Sequence, residues 1–213
     1  PIDSELLPNR FLLKLYIPLH MLKIRKIKPI LVYNKILKMK IPNSTVPSDF
    51  PPRIWKEYAV ELATPVSKIA NKILESGQWP KEWKTEWVTV IGKIKNPESK
   101  DDLRNLSLTP FLSKLVENII YDIILDQIDY KMDKAQFGGR KGHSVLLYPI
   151  QLVEFILSNM DKSKAVVVAL IDFAKAYNRQ NHNRLLTCYS DLGVSPYLLK
   201  ELASYFDNRK MVV

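Results

Sequence analysis

Residues 165–173 read AVVVALIDF, and this stretch decides which fold we expect for the chain. It is a short, unbroken, valine-rich apolar run, which is typical of a central strand buried on both faces of a sheet. Asp172 stands near its end, where α/β sheets present ligand-binding groups on a rigid support. Alternatively, Asp172 caps the following helix by accepting hydrogen bonds from orphan backbone N–H groups. Without wider context, the cap is the favoured interpretation.

The residues after this run predict two helices and another strand. A helix is expected over residues 174–192, stopped by Gly193. Ser195 and Pro196 are typical of a second helix start, which continues through YLLKELASYF. The final residues, DNRKMVV, predict the beginning of a strand.

Upstream of the run, two helices carry clear start signals. Thr64 as N-cap and Pro65 in the first turn predict a helix that Gly77 closes. Pro110 similarly begins a helix that ends near Tyr130 and has a buried apolar stripe.

Between those helices, residues 86–109 predict an antiparallel hairpin. β-branched runs flank a polar turn around Asn96 and Pro97. Lys93 and Arg104 lie on or near this hairpin and give it a basic face.

A glycine-rich loop, QFGGRKGHS, occupies residues 136–144 and carries Arg140 and Lys141. The apolar segment over residues 145–160 predicts a helix in spite of Pro149.

The chain is strongly basic, with a formal net charge of +10. Residues 6–48 contain nine Lys or Arg and no Asp or Glu, and a proline-rich linker, IPNSTVPSDFPP, follows at residues 41–52. Such an arm favours a polyanionic partner, because neutralising phosphates releases condensed counterions. Charge alone also allows a solvated surface, an acidic protein partner or a membrane surface.

Several classes of protein are disfavoured by the composition. The single cysteine, Cys188, excludes an internal disulfide framework and fits a reducing compartment, and the three histidines lack zinc-ligand spacing. No apolar run approaches the ~20 residues of a membrane span, and there is no signal-peptide pattern. We therefore expect an intracellular protein of the cytoplasm or nucleus, not secreted, that begins inside a longer polyprotein.

The string LIDFAKAYNRQNHNRLL, residues 170–186, resembles motif A of reverse transcriptases from non-LTR, LINE-like retrotransposons. Residues 83–117 resemble the fingers hairpin and following helix of the same enzymes, and QFGGRKGHS resembles their Gln-Phe-Gly motif. Residues 44–84 are similar to the segment that precedes the fingers. The occurrence of four such segments in the order found in this family makes the resemblance far more specific than any one segment would.

The resemblance implies an α+β fold that is an incomplete right hand. Residues 1–47 would be a basic N-terminal extension, and residues 48–164 would form a helical and hairpin fingers region. Residues 165–213 would begin the palm with the motif A strand.

The chemistry implied is transfer of a dNTP to a primer 3′-hydroxyl by two Mg²⁺ ions, with Mn²⁺ as an alternative. Asp172 would be a catalytic metal ligand, and the backbone carbonyl of Phe173 would supply a further oxygen. Tyr177 matches the aromatic that excludes a ribose 2′-hydroxyl, although an aromatic here is otherwise a core residue. Lys93 and Arg104 match the fingers cations that contact the triphosphate. The alternative interpretation is that both side chains belong to a solvated face of the hairpin.

Residues of the glycine-rich loop complete the implied site. Arg140 and Lys141 would contact the template backbone. Three neighbours would shape the adjacent pocket: Gln136, Phe137 and Gly138.

The implied partners are an RNA template, a DNA primer, dNTP and the remainder of the parent polyprotein, with no membrane. The chain contains no aromatic-x-Asp-Asp string, which such polymerases need for further metal carboxylates. We therefore expect the chain alone to be inactive. The alternative function is a non-catalytic nucleic-acid-binding remnant of a decayed or co-opted retroelement.

Overall fold

The computed structural model describes residues 24–40, 46, 49–140, 142–173, 176 and 179–212. Two predicted site residues, Lys141 and Tyr177, lie outside the described residues, as does most of the basic arm.

The N-terminal part of the described chain is helical. Its helices are α1 (Pro29–Lys38), α2 (Pro52–Glu57) and α3 (Ala59–Ser76). Helix α1 lies within the predicted basic arm and packs chiefly on α3. It buries Val32 and Ile36, which are one helical turn apart, and this leaves Lys38 exposed to solvent.

The expected start of α3 at Thr64 and Pro65 is wrong, because the helix begins at Ala59 and holds Pro65 inside it. Ala59 and Ala63 are buried and extend the apolar face of the later turns, so their packing outweighs the hydrogen bond that proline cannot make. The predicted end is confirmed: Gly77 adopts the left-handed conformation, with φ +64°, and caps the helix.

Three strands form a small sheet: β1 (Thr85–Gly92), β2 (Leu103–Leu108) and β3 (Lys210–Val212). The hairpin expected from the sequence is present, since β1 pairs with β2 antiparallel, with Trp87 opposite Leu108. The C-terminal strand is also present and pairs parallel with β1, with Thr85 opposite Lys210. The sheet order is therefore β2-β1-β3.

Helix α4 (Phe111–Ile128) is the centre of the hydrophobic core. Its predicted stripe is confirmed, with Leu115, Val116 and Ile119 fully buried. The helix continues into a 3₁₀ turn at Asp129–Lys131, close to the predicted end.

Two C-terminal helices close the core: α6 (His182–Asp191) and α7 (Pro196–Phe206). The start of α7 and the end of α6 before Gly193 are confirmed, but the predicted start of α6 at residue 174 is wrong, because the Asn181 side chain caps the helix and α6 begins at His182. Leu198 and Leu199 of α7 are buried against α3 and α4. Gln127 of α4 holds the start of α7, because its Oε1 accepts a 2.9 Å hydrogen bond from the Ser195 backbone N–H.

The predicted central strand at residues 165–173 is wrong, because this segment has no regular secondary structure. Val167, Leu170 and Ile171 are 93, 85 and 87% exposed. A buried strand exists only where neighbours pair with its edges and cover its faces, and no described strand lies beside this segment. Helix α5 (Leu147–Met160), which precedes it, likewise has no buried residue.

The described residues are therefore a mixed α and β structure with a small three-stranded sheet. Among the helices that the structure describes, none combines the length and apolarity needed to cross a lipid bilayer.

Candidate nucleic-acid interface

A cleft of about 1000 Å³ lies between α1, α4 and the glycine-rich loop. Among the described residues, α1 and its flanks supply six cations to the lining: Arg25, Lys26, Lys28, Lys35, Lys38 and Lys40. Helix α4 adds Lys114, and the glycine-rich loop adds Arg140. Asp122 is the acid in this lining, so the cleft is strongly positive. We call it the basic cleft.

Helix α4 presents a polar face to the basic cleft. Lys114, Asn118 and Tyr121 follow each other at spacings of four and three residues, which places them on one side of the helix. The opposite side carries the buried stripe of the core. The sequence reasoning missed these three side chains, although the same periodicity that marked the buried stripe could have found them.

Two ion pairs tie the N-terminal segment to α4. Lys35 Nζ lies 2.6 Å from Asp122 Oδ2, and Arg25 Nη1 lies 2.7 Å from Asp126 Oδ2. Lys35 is the more buried of the two cations, so its pair is less screened by solvent. These contacts hold α1 as one wall of the basic cleft while most of its cations remain available.

The glycine-rich loop folds back on the end of α4 through Arg140. The guanidinium donates to Asp129 from Nε at 3.0 Å and from Nη2 at 3.2 Å, and its Nη1 donates to the Asp133 carbonyl at 3.1 Å. These hydrogen bonds lower the pKa of the Asp129 carboxyl below its usual value. Arg140 therefore lines the basic cleft and at the same time fixes the loop.

The three neighbouring loop residues are close together. The Gln136 side chain donates from Nε2 to the Gly138 carbonyl at 2.9 Å. Phe137 is buried, with its ring 6.3 Å from His143 and 6.0 Å from Tyr148 between centroids. These contacts make a local aromatic cluster, and none of the three residues lines the basic cleft.

The predicted fingers cations lie elsewhere. Lys93 and Arg104 are exposed on the hairpin. Arg104 lies opposite Ile91 in the register of β1 and β2. The backbone N–H of Lys93 donates a 2.7 Å hydrogen bond to the Asp102 carbonyl. The structure does not bring either of them into the lining of the basic cleft.

Asp172 is exposed, and Phe173 is 80% exposed. Asp172 does not cap α6, because Asn181 does so by accepting a 3.0 Å hydrogen bond from the Arg184 N–H. Within the described residues, no three His, Cys, Asp or Glu side chains come together in a way that could hold a metal ion. These residues alone therefore do not fit a two-metal centre.

A second basic hollow, of about 970 Å³, lies where α3 meets the base of the sheet. Five lysines of the described residues line it: Lys68, Lys72, Lys81, Lys84 and Lys210. Its described lining has fewer cations than that of the basic cleft, and it includes no residue of the glycine-rich loop.

No protein-family model matches the chain. It is 32% identical over 148 residues to the probable RNA-directed DNA polymerase from transposon BS of Drosophila melanogaster, which covers 68% of this chain and 16% of that protein. The RNA-directed DNA polymerase from mobile element jockey of the same species is 28% identical over 186 residues, or 86% of this chain and 20% of that protein. The jockey polymerase of Drosophila funebris is 32% identical over 148 residues, again 68% of this chain and 16% of the relative.

The chain thus spans no more than about a fifth of the relatives that it matches. The chain is homologous to part of the RNA-directed DNA polymerases encoded by non-LTR mobile elements.

Proposed function

We propose that this chain is part of a reverse transcriptase, and that its basic cleft holds the sugar–phosphate backbone of the RNA template or of the template–primer duplex. The observation that carries the proposal is the charge of the cleft: eight cations of the described residues line a space of about 1000 Å³, and three of them, Arg25, Lys35 and Arg140, also pair with carboxylates. Each phosphate that such cations neutralise releases counterions and adds affinity that does not depend on base sequence.

The other polar groups of the basic cleft suit the same ligand. Asn118 has a second amide N–H beyond the one that bonds to the Lys114 carbonyl, and a neutral donor beside cations is the usual mixture at protein contacts with phosphate and sugar. Arg140 and the neighbouring Lys141 keep their proposed role at the template backbone. Gln136, Phe137 and Gly138 would act indirectly, by shaping the loop that presents Arg140.

The polymerase chemistry is proposed for the longer protein. There, Asp172 would supply one carboxylate and Phe173 a carbonyl oxygen, with Mg²⁺ or Mn²⁺ held together with further groups. Lys93 and Arg104 would contact the triphosphate of the incoming dNTP, and Tyr177 would exclude its ribonucleotide analogue. Because the described residues do not form a metal centre by themselves, the chain alone should not extend a primer.

Binding of a labelled RNA–DNA primer–template to the purified chain, measured by fluorescence anisotropy over a series of salt concentrations, tests the proposal. Removing two cleft charges in the variant Lys38→Gln/Lys114→Gln should reduce the slope of log K against log[salt] by about two. Lys162→Gln is the matched control, because Lys162 is an exposed lysine that lies outside the lining of the basic cleft.

The second basic hollow is the alternative binding surface, and variants of its lysines test it. If Lys68→Gln/Lys72→Gln reduces the salt slope while Lys38→Gln/Lys114→Gln does not, the basic cleft is not the binding surface. Primer extension with Mg²⁺ tests the proposal that this chain alone is inactive. Robust product from the chain alone would contradict it.

A further inference from the structure

The second basic hollow differs from the basic cleft in how its cations are paired. In the basic cleft, three of the eight cations of the described lining form ion pairs with carboxylates. The five lysines of the second basic hollow form no ion pair with any carboxylate that the structure describes. The acid of its described lining is Asp207, whose side chain instead accepts a 2.7 Å hydrogen bond from Asn208. The described chain therefore leaves the charge of this hollow uncompensated.

Lys84 is the cation of this hollow that most needs an anion. It is only 9% exposed, yet its ammonium group has no hydrogen-bond or ion-pair partner within the described residues. The group is not sealed inside the protein, because the described polar atoms that are both enclosed and unpartnered belong to Trp55, Trp79 and Glu201. Burying a charge without a partner is costly, and an anion that enters the hollow lined by Lys84 would provide the partner.

Three elements bring the five lysines together. Lys68 and Lys72 stand one turn apart on the same face of α3, where like charges destabilise a helix slightly. A 3₁₀ turn that leads into β1 spans Lys81–Lys84 and supplies a lysine at each of its ends. Lys210 begins β3 and lies opposite Thr85, the first residue of β1. This arrangement is unfavourable by itself and becomes favourable when a multivalent anion lies between the lysines.

The described lining of the second basic hollow offers no aromatic face to a nucleobase. Trp79 is its aromatic residue and is 3% exposed. The Trp79 ring packs edge-on against Trp83 and Tyr205, at centroid distances of 5.6 and 5.1 Å. Sites that hold bases of a single strand use accessible aromatic side chains for stacking, whereas a lysine ammonium binds phosphate as a point charge. The lining therefore suits a ligand that is recognised by its phosphates and not by its bases.

We propose that the second basic hollow is a further phosphate-binding site, in addition to the basic cleft, and that it holds a run of phosphate groups with Lys84 as the buried anchor. The phosphates belong either to the backbone of a nucleic-acid strand or to a free polyphosphate. The first form rests on the proposed function, whereas binding of a free polyphosphate does not.

An NMR titration of the 213-residue chain with inorganic tripolyphosphate at constant ionic strength is the direct test. The backbone amides of Gln78, Thr85 and Lys210 should shift in a saturable way, because these residues line the hollow. Lys84→Met keeps an apolar stem of similar length but removes the charge, and it should weaken binding at least about tenfold. Lys162→Gln is the matched control, since it removes one charge at an exposed position outside both basic linings.

Stability measurements separate a ligand-binding role of Lys84 from a structural one. Without ligand, Lys84→Met should resist urea at least as well as the unsubstituted chain, because it removes a buried charge that has no partner. With saturating tripolyphosphate the order should reverse, since the ligand stabilises chiefly the chain that binds it. Equal binding of tripolyphosphate by a folded Lys84→Met variant would overturn the inference.

A second variant keeps the inference testable if Lys84→Met does not fold. Lys68→Gln/Lys72→Gln alters two exposed side chains, so it should fold normally and still weaken the tripolyphosphate titration. Lys134→Gln/Lys162→Gln is its control, with the same loss of charge at exposed lysines outside both linings. Equal weakening by the two double variants would mean that net charge alone governs binding, and the site would be rejected.

Single-stranded oligo(dT) distinguishes the two sources of phosphate. Shifts of the same amides by oligo(dT), lost in Lys84→Met, would assign the phosphates to a nucleic-acid strand. Shifts by tripolyphosphate but not by oligo(dT) would assign them to a free polyphosphate. If neither ligand shifts these amides, the inference fails.

The failure of this inference can be told apart from the failure of the proposed function. Lys38→Gln/Lys114→Gln changes only the basic cleft, so it should leave the tripolyphosphate titration at the second basic hollow unchanged. If this variant also binds oligo(dT) with an unchanged salt slope while Lys84→Met does not, the proposed function of the basic cleft fails and the phosphate site stands.

Discussion

The Tyr121 hydroxyl donates a 2.9 Å hydrogen bond to the carbonyl oxygen of Gly139. This contact joins α4 to the glycine-rich loop at the edge of the basic cleft. Gly139 has a φ of +74°, a left-handed conformation in which a side chain would be strained even though there is open space for it. One tyrosine therefore fixes the loop and lines the basic cleft.

Tyr121→Phe should loosen the loop without disturbing the core. A hydrogen bond of this kind contributes about 0.5 to 1 kcal/mol, so the amide protons of residues 138–142 should exchange a few times faster. Hydrogen exchange monitored by NMR measures this, with Tyr130→Phe as the control because Tyr130 is highly exposed. Unchanged exchange in the loop would show that Arg140 alone holds it.

Asp49 should contribute to the stability of α4 from outside the helix. Its Oδ2 accepts a 2.6 Å hydrogen bond from the Phe111 backbone N–H, one of the donors that the first turn leaves without a partner. Asp49→Ala should therefore lower the free energy of unfolding by about 1 kcal/mol. Urea denaturation measures the change, and Asp49→Asn, which keeps an acceptor oxygen, should lose much less.

The free energy of unfolding should fall as pH rises from about 4.5 to about 8. In the folded chain the pKa of Glu201 is raised to about 8, whereas in the unfolded chain it returns to its ordinary value of 4.5. Across this interval the folded state holds a proton that the unfolded state has released, which costs about 1.4 kcal/mol per pH unit. Below pH 4.5 both states hold the proton, so the contribution of Glu201 to the free energy of unfolding is fully present.

Urea denaturation at several pH values measures this dependence. Glu201→Gln should remove most of the slope, and the raised pKa of Glu117 should account for part of what remains. Glu98→Gln, at an exposed position of the hairpin turn, is the control. A slope of the same size in Glu201→Gln would mean that other groups cause it.

Arg140→Lys should raise the pKa of the Asp129 carboxyl towards its ordinary value. Lysine keeps the charge but cannot form the paired hydrogen bonds from Nε and Nη2 that lower this pKa. Above the unfolded-state pKa of Asp129, its carboxylate stabilises the folded chain, and this stabilisation is lost as pH falls through the folded-state pKa. Because the folded-state pKa is higher in the variant, the variant should lose the stabilisation at a higher pH. NMR titration of the carboxyl carbon measures the shift, and Arg53→Lys, which alters the separate pair with Glu57, should leave Asp129 unchanged.

Local signals in the sequence were sufficient for most helices and for the hairpin. Pro110 at the start of α4, Gly77 at the end of α3 and Gly193 after α6 act through backbone geometry within one or two turns. The start of α3 was predicted wrongly for the same reason, since the packing of Ala59 against distant residues outweighed the local cap signal at Thr64.

The sequence by itself determined the apolar periods, the positive charge and the family motifs, because each depends on residues that are close together in the chain. Only the tertiary structure decided which distant groups meet: Lys35 reaches Asp122 across 87 positions, and Glu201 is enclosed beside Glu117. It also decided that most of residues 165–173 are exposed. An apolar run favours burial, but burial requires a partner surface, and that is a property of the assembled fold.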